Sequence, residues 1–171
     1  MSTHLDAALL IGGKTRPATE GRSFTRLNPL TGEVASTAAA ASIDDAKDAA
    51  DTAAAALPAW SETGPNARRA LLLKAADALT ARMPDFIAAM AAETGATAGW
   101  AGFNVTLAAS MLREAASMTT QINGEVIPSD KPGCIAMAVR QPVGVILGIA
   151  PWNAPVILGV RAVATALACG N

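Results

Sequence analysis

The sequence contains one continuous run of eight apolar residues, Val143-Gly144-Val145-Ile146-Leu147-Gly148-Ile149-Ala150. It leads into the turn Pro151-Trp152-Asn153-Ala154, and Pro155 then opens an apolar helix that ends near Gly170. Such a run predicts a strand covered on both faces of a parallel sheet. A buried strand, a tight turn and a helix form half of a βαβ unit, so we expect an α/β fold. Because the chain ends where the next strand should begin, we expect the sequence to be incomplete.

Short strands and turns are expected near the beginning of the chain. Leu9-Leu10-Ile11, the glycines Gly12-Gly13 and then Ser23–Leu27 predict a short hairpin pair with a glycine turn region. Residues 28–32 predict a second turn, followed by a weak strand through Val34.

A helix is expected after these strands. Ser42 followed by Asp45 resembles a capping box with Asp in place of Glu, which predicts that an alanine-rich helix begins there. Pro58 is expected to end that helix after about Leu57, because a proline ring does not fit the interior of a helix.

Three more helices are expected before residue 130. Pro65 opens the first of them, Pro84 opens the second, and Gly95 ends the second. The third and longest is expected over residues 98–122. Core packing is expected for most members of its apolar stripe, which are Trp100, Phe103, Leu107, Met111, Ala115, Met118 and Ile122. Alternating side chains at 135–139 predict a half-buried strand.

Composition and charge exclude several classes of protein. Apolar residues make up 51% of the chain and charged residues 16%, which favours a folded, helix-rich protein. The 13 basic and 14 acidic residues nearly cancel, so we expect no nucleic-acid or membrane partner. The first ten residues lack the charged region and cleavage site of a signal peptide, and none is expected. Cys134 and Cys169 form no CxxC motif, which predicts a cytoplasmic protein without a metal site.

The turn at residues 150–155 is the candidate functional site. Ligands of open α/β sheets bind at the carboxyl ends of the strands, and this turn follows the predicted strand. Pro151 and Pro155 fix the backbone on both sides of Asn153, whose amide could therefore donate a hydrogen bond from a helix N-terminus. The alternative is that Asn153 caps the helix, as asparagine before a helix routinely does.

The order and spacing of five motifs resemble the aldehyde dehydrogenase superfamily. Residues 149–155 (IAPWNAP) resemble its Pro-Trp-Asn signature, and residues 140–145 (RQPVGV) resemble its lead-in to the first strand of the nucleotide-binding domain. Residues 167–171 resemble the end of its ALxxGN stretch, and residues 28–33 (NPLTGE) and 60–73 match its N-terminal pattern. The resemblance therefore covers nearly the whole chain.

The resemblance implies a division of the chain and a cofactor. Residues 1–140 would form an N-terminal hairpin and helical region, which belongs to the cofactor and oligomerisation regions. Residues 141–171 would begin the NAD(P)-binding domain. The cofactor would be NAD or NADP, and the residues lining its cleft would be Ile149, Ala150, Pro151 and Trp152. Gly144 and Gly148 are not spaced as in a GxGxxG fingerprint, so none is expected.

The resemblance also implies a thiohemiacetal mechanism. A cysteine attacks the aldehyde, hydride passes to NAD(P)+, and a glutamate-activated water releases the acid. Asn153 would donate its amide to the developing oxyanion, a kind of contact that contributes about 2.7–4 kcal/mol to transition-state stabilisation. Neither the nucleophile nor the base is matched by a residue of this chain. Cys134 is expected in a strand and Cys169 near a helix C-terminus, so the chain alone is expected to be inactive.

A finer resemblance concerns the substrate. Residues 100–105, 113–117 and 127–131 resemble salicylaldehyde, vanillin and benzaldehyde dehydrogenases. This implies an aromatic aldehyde, and Trp100 and Phe103, one turn apart, could form an aromatic wall of its pocket.

Two residues after the turn bear on the same pocket. Ala154 stands where many family members carry phenylalanine, which would leave room for a ring. Arg161 lies seven residues further on, on nearly the same helix face. Arg161 either donates to a ring hydroxyl or product carboxylate, or is a structural arginine whose carboxylate lies outside this sequence.

Two functions are therefore compared. The first is an oxidoreductase acting on a small aldehyde, which would be a homo-oligomer when full length. The second is a non-catalytic subunit that assembles with full-length subunits. A stand-alone nucleotide-binding fold is disfavoured, because only one strand–helix pair of that domain is expected.

Overall fold

The computed structural model describes residues 5–171, so the expectation about a signal peptide lies outside it for residues 1–4. The strands are β1 (Leu5–Ala7), β2 (Leu9–Ile11), β3 (Lys14–Arg16), β4 (Ser23–Leu27), β5 (Val34–Ala39), β6 (Glu125–Ile127) and β7 (Ala136–Ala138). The helices are α1 (Ile43–Ser61), α2 (Pro65–Ala81), α3 (Met83–Thr94), α4 (Ala98–Met118) and α5 (Pro155–Ala168). Among these residues, no helix combines the length and the apolarity that crossing a membrane would require.

The strands near the beginning pair differently from the expected hairpin. β2 pairs antiparallel with β3 across Gly12-Gly13, and β4 pairs antiparallel with β5 in a sheet of order β1-β5-β4. The expected strands at Leu9–Ile11 and Ser23–Leu27 and the glycine turn are confirmed, but the pairing was wrong. The two glycines, with φ of 60° and 75°, close a tight turn, so the residues directly after them return beside β2. The predicted turn at 28–32 is confirmed, and the Asn28 side chain accepts from the Leu30 N–H at 2.9 Å within it.

Helix α1 begins at the predicted capping box. The Ser42 hydroxyl accepts from the Asp45 N–H at 3.0 Å, and the Asp45 carboxylate accepts from the Ser42 N–H at 2.8 Å. Pro58 does not end the helix as expected, since α1 continues through it to Ser61. Pro58 cannot donate to the preceding turn, but its carbonyl still accepts from the N–H of Glu62 at 3.2 Å, which keeps the last turn of α1 hydrogen-bonded.

The face that α4 buries overlaps the predicted core stripe at Ala115, and Leu107 and Met111 of that stripe are half-buried. Trp100, Phe103 and Met118 of the predicted core stripe are 43%, 51% and 40% exposed. The apolar residues that α4 buries are mostly small: Ala101, Val105, Ala108, Ala109, Leu112, Ala115 and Ala116. Small side chains allow close helix approach, so the alanines face the neighbouring helices and the larger side chains point outward. The helix also ends at Met118 rather than at residue 122. At this end the hydroxyl of the C-cap residue Thr119 donates to the Ala116 carbonyl.

The core lies between α2, α4 and α5. Its cluster of buried residues consists of Leu72, Ala76, Ala109, Leu112, Ala115, Ala116, Ala164 and Ala168. Arg68 of α2 is buried beside it, and its guanidinium donates to the carbonyls of Ala168 and Thr63. The positive charge of Arg68 at the C-terminus of α5 is stabilising, because the helix dipole places a partial negative charge there.

Residues 143–150 form no strand in the structure, contrary to expectation. Val143, Leu147 and Ile149 are more than 80% exposed. A strand needs the backbone hydrogen bonds of a neighbour, and no described strand lies beside this run. The 135–139 strand is shorter than predicted, and its apolar residues Ile135 and Met137 are exposed rather than half-buried.

The run is nevertheless attached to α5 at both of its ends. The Asn171 side-chain oxygen accepts from the N–H groups of Val143 and Gly144 at 2.6 and 3.0 Å. At the other end a Cβ on Gly148 would lie 2.7 Å from the Cβ of Ala162, so only glycine fits this approach. These contacts determine where the following turn lies.

Candidate active site

The turn at residues 150–155 lies at the N-terminus of α5. Pro155 occupies the first helical position, and the carbonyl of Ala154 accepts from the N–H of Leu158 at 3.0 Å. Ala154 is the N-cap residue, and no side chain caps the helix. Asn153 therefore does not act as the cap, which was the structural alternative for this residue.

The two polar groups of Asn153 differ in their partners. Its main-chain carbonyl accepts a hydrogen bond from the indole N–H of Trp100 at 3.2 Å. Its side-chain amide is exposed and makes no hydrogen bond within residues 5–171. An amide held on a fixed backbone, with its donors directed to solvent, is available to a bound carbonyl oxygen.

Trp100 and Phe103 form a stacked pair next to this turn. Their ring centroids are 5.6 Å apart and the planes differ by 23°. Both rings are about half exposed, at 43% and 51%. The structure thus brings the two aromatic residues predicted for a pocket wall to the same place as Asn153.

The residues expected to line a cofactor cleft are all exposed. Ile149 and Trp152 are 81% and 69% exposed, and Ala150 and Pro151 are exposed as well. Among residues 5–171 no cluster of His, Cys, Asp or Glu is arranged to hold a metal ion.

Ala154 and Arg161 have different surroundings. Ala154 is 8% exposed, and its small side chain is packed beneath the turn. Arg161 is exposed, although Ile157 one turn before it and Ala164 one turn after it are buried. Within the described part of the chain its guanidinium has no hydrogen bond or ion pair, so neither interpretation of Arg161 is excluded.

Neither cysteine lies at the turn. Cys134 is exposed in the turn between β6 and β7, rather than in a strand as expected, and its N–H donates to the Lys131 carbonyl. Cys169 is the C-cap residue of α5, sixteen residues beyond Asn153. At about 1.5 Å per helical residue the two are separated by roughly 20 Å. The Cys169 thiol is therefore not placed to act with the Asn153 amide, and Cys134 makes no hydrogen bond to the turn within residues 5–171.

Two site residues were missed in the sequence. Thr97 caps α4 by accepting from the Trp100 N–H at 3.2 Å, and the buried Asn104 amide donates to the Trp100 carbonyl at 3.0 Å. The cap had a sequence signal, since threonine before a helix is a preferred N-cap. Asn104 had none, because an asparagine within a helix is usually exposed.

Comparison with known proteins identifies the class of this chain. The model of the aldehyde dehydrogenase family matches residues 16–171, and the chain belongs to that family.

Its relatives include dehydrogenases of aromatic aldehydes. The chain is 65% identical to vanillin dehydrogenase of Pseudomonas fluorescens over 167 residues, covering 98% of this chain and 34% of that protein. Salicylaldehyde dehydrogenase of Pseudomonas putida is 46% identical over 95% of this chain and 34% of its own length. The chain thus spans about a third of the length of these curated relatives.

Solved structures agree with this assignment. A salicylaldehyde dehydrogenase from Pseudomonas putida G7, complexed with salicylaldehyde, superposes with a TM-score of 0.96 at 46% identity, over 98% of this chain and 35% of that one. An NAD-dependent benzaldehyde dehydrogenase from Corynebacterium glutamicum gives a TM-score of 0.90 at 34% identity, over 95% and 36% of the two chains. The fold is therefore the N-terminal part of the aldehyde dehydrogenase fold, as expected from the sequence.

Proposed function

We propose that this chain supplies one side of the active site of an NAD(P)-dependent enzyme that oxidises an aromatic aldehyde to its acid. The observation that carries the proposal is that Asn153, whose side-chain amide is exposed, accepts at its main-chain carbonyl a hydrogen bond from Trp100, which stacks on Phe103. A ring bound against this pair would bring its aldehyde group to the amide. The relatives that act on vanillin, salicylaldehyde and benzaldehyde support the substrate class.

Asn153 stabilises charge in the proposed reaction. When a thiolate adds to the aldehyde carbon, the carbonyl oxygen becomes negatively charged, and the side-chain N–H of Asn153 donates to it. The thiolate comes from outside this chain, because Cys134 and Cys169 are not at the turn. The exposed segment from Ile149 to Trp152 would hold the nicotinamide cofactor, which would supply the hydride acceptor when bound. We propose NAD or NADP as this cofactor.

The other residues shape the pocket. Trp100 and Phe103 form its aromatic wall, and stacking a substrate ring on them contributes about 0.5–1.5 kcal/mol beyond area burial. Ala154 is small at the position where many family members carry phenylalanine, and we assign it to the pocket because it takes up less space beside the turn. Arg161 carries a positive charge without a partner in the described chain, and we assign it to a ring hydroxyl or the product carboxylate.

The test uses a chimera in which this chain replaces the matching third of Pseudomonas fluorescens vanillin dehydrogenase. We expect the chimera to oxidise aromatic aldehydes with NAD+ or NADP+, followed by nicotinamide absorbance. Asn153→Ala should lower kcat by about 10²–10³, as expected for one oxyanion donor. The exposed Asn66 of α2 gives the matched control Asn66→Ala, which should retain full activity. A folded chimera without aldehyde oxidation, or an unchanged kcat in Asn153→Ala, would contradict the proposal.

A further inference from the structure

The indole of Trp100 joins two parts of the chain that are 53 residues apart. Its N–H donates to the main-chain carbonyl of Asn153, the residue whose side chain is the candidate oxyanion donor. Among residues 5–171, no other side chain donates a hydrogen bond to the turn at 150–155. The N-terminus of α5 has no side-chain cap, so no capping side chain holds the turn either.

Trp100 is itself fixed from three sides. Its main-chain N–H donates to the Thr97 hydroxyl at 3.2 Å, its main-chain carbonyl accepts from the buried Asn104 amide at 3.0 Å, and its ring stacks on Phe103. A donor that is held in this way restrains its acceptor. The carbonyl and the side chain of Asn153 share one Cα, so a restrained carbonyl also limits the directions that the amide can take.

We propose that Trp100 is a positioning residue for the Asn153 amide, in addition to lining the substrate pocket. This inference rests on the proposed function, since it assigns a purpose to an amide that acts on the substrate. The indole N–H orients the oxyanion donor, and the indole face contacts the substrate ring. One side chain therefore affects both the binding of the ring and the rate of the reaction.

The two roles of Trp100 are separable by the choice of substrate. A wall acts only on substrates that touch it, so its loss raises KM for benzaldehyde and leaves propanal unaffected. A positioning residue acts on every aldehyde, because the oxyanion is the same in each. Its loss lowers kcat for propanal and benzaldehyde by the same factor.

The first experiment measures the restraint in the 171-residue chain itself. Trp100→Phe keeps an aromatic ring and removes the N–H donor. Relaxation NMR should show a lower order parameter for the Asn153 side-chain nitrogen in this variant. The same replacement in α1, Trp60→Phe, is the matched control and should leave that order parameter unchanged. Equal order parameters in all three proteins would overturn the inference.

The second experiment measures kcat and KM in the chimera. Trp100→Phe should lower kcat by about three- to tenfold for both propanal and benzaldehyde, the size expected for one hydrogen bond. In an Asn153→Ala background the same replacement should have no further effect on kcat. A change confined to KM for benzaldehyde would contradict the positioning role and show that Trp100 only lines the substrate pocket. If Asn153→Ala alone changes nothing, the proposed function fails instead, and the two failures are thereby distinguished.

Discussion

Arg161 is a charged residue in an otherwise apolar helix, and no carboxylate pairs with it in the described part of the chain. It follows Ala154 by seven residues, on the α5 face that also carries the buried Ile157, yet it is exposed and unpaired in residues 5–171. If Arg161 lines the proposed aromatic pocket, it distinguishes substrates by their oxygen groups, because a cation attracts a hydroxyl or carboxylate and not a bare ring.

We expect Arg161→Leu in the chimera to raise KM for a hydroxylated benzaldehyde more than for benzaldehyde. Hydrogen bonds to charged groups contribute about 1.5–3 kcal/mol, which corresponds to roughly a ten- to hundredfold difference between the two substrates. Steady-state kinetics on both aldehydes measure this directly. Equal changes for the two substrates would show that Arg161 is structural.

Arg68 has the opposite character, since it is buried and fully engaged. Arg68→Met should lower the free energy of unfolding by about 1–3 kcal/mol, because the carbonyls of Ala168 and Thr63 lose their donor in a buried place. Urea titration of the 171-residue chain measures the change. The exposed neighbour Arg69 gives the control Arg69→Met, which should have little effect. Similar losses in both variants would mean that the guanidinium contacts contribute nothing specific.

At the scale of elements, the capping box of α1 depends on one carboxylate. Backbone hydrogen bonds from Ser42 and Thr19 hold the pKa of Asp45 well below its ordinary value of 3.8, against the opposing effect of burial. The folded state therefore gains stability from Asp45 above the unfolded pKa and loses it as the pH falls below about 3.8.

Asp45→Asn should remove this part of the pH dependence. The variant should be less stable than the wild type near neutral pH, and its unfolding midpoint should fall less steeply between about pH 5 and pH 2. Urea titrations over that pH range provide the measurement. Asp44→Asn, at an exposed position in the same helical turn, should keep the wild-type slope. A wild-type slope in Asp45→Asn would show that the carboxylate is protonated in the same range when folded and unfolded.

The elements also show what a sequence can and cannot predict. Caps and turns were predicted correctly at Ser42, Pro65 and Gly95, because each depends on neighbours within four residues. The face of α4 was only partly predicted, because periodicity marks a stripe without stating which side contacts another helix. Ala101 and Trp100 are adjacent in sequence, and only the approach of α2 and α5 decides that the alanine is buried.

At the scale of the whole molecule, the candidate site was predicted as a set of residues, and its connections were not. Asn153, Trp100 and Phe103 were each expected at a pocket, and the structure brings them together. The indole bond between residues 53 positions apart has no sequence signal, since it depends on the parallel packing of α4 and α5. The assignment of residues to cofactor and substrate, and the domain division after residue 140, stay predictions.

The 171-residue chain should not reduce NAD+ or NADP+ with any aldehyde. Its candidate site offers the proposed oxyanion donor Asn153, but Cys169 lies at the far end of α5 and Cys134 in the turn between β6 and β7. Nicotinamide absorbance with vanillin, salicylaldehyde and benzaldehyde measures this, and the vanillin dehydrogenase of Pseudomonas fluorescens serves as a positive control. Turnover that survives replacement of both cysteines by serine would require a mechanism without a thiolate.

The buried Arg68 also has a consequence for how the chain is made. Its acceptor at Ala168 lies 100 residues further along the chain. At synthesis rates of about 5–20 residues per second, roughly 5–20 s pass between the addition of Arg68 and that of Ala168. During that time the guanidinium has no helix end to bind, and the apolar faces of α2 and α4 lack α5. A nascent chain of this protein thus passes through an interval in which molecular chaperones have an exposed core to recognise.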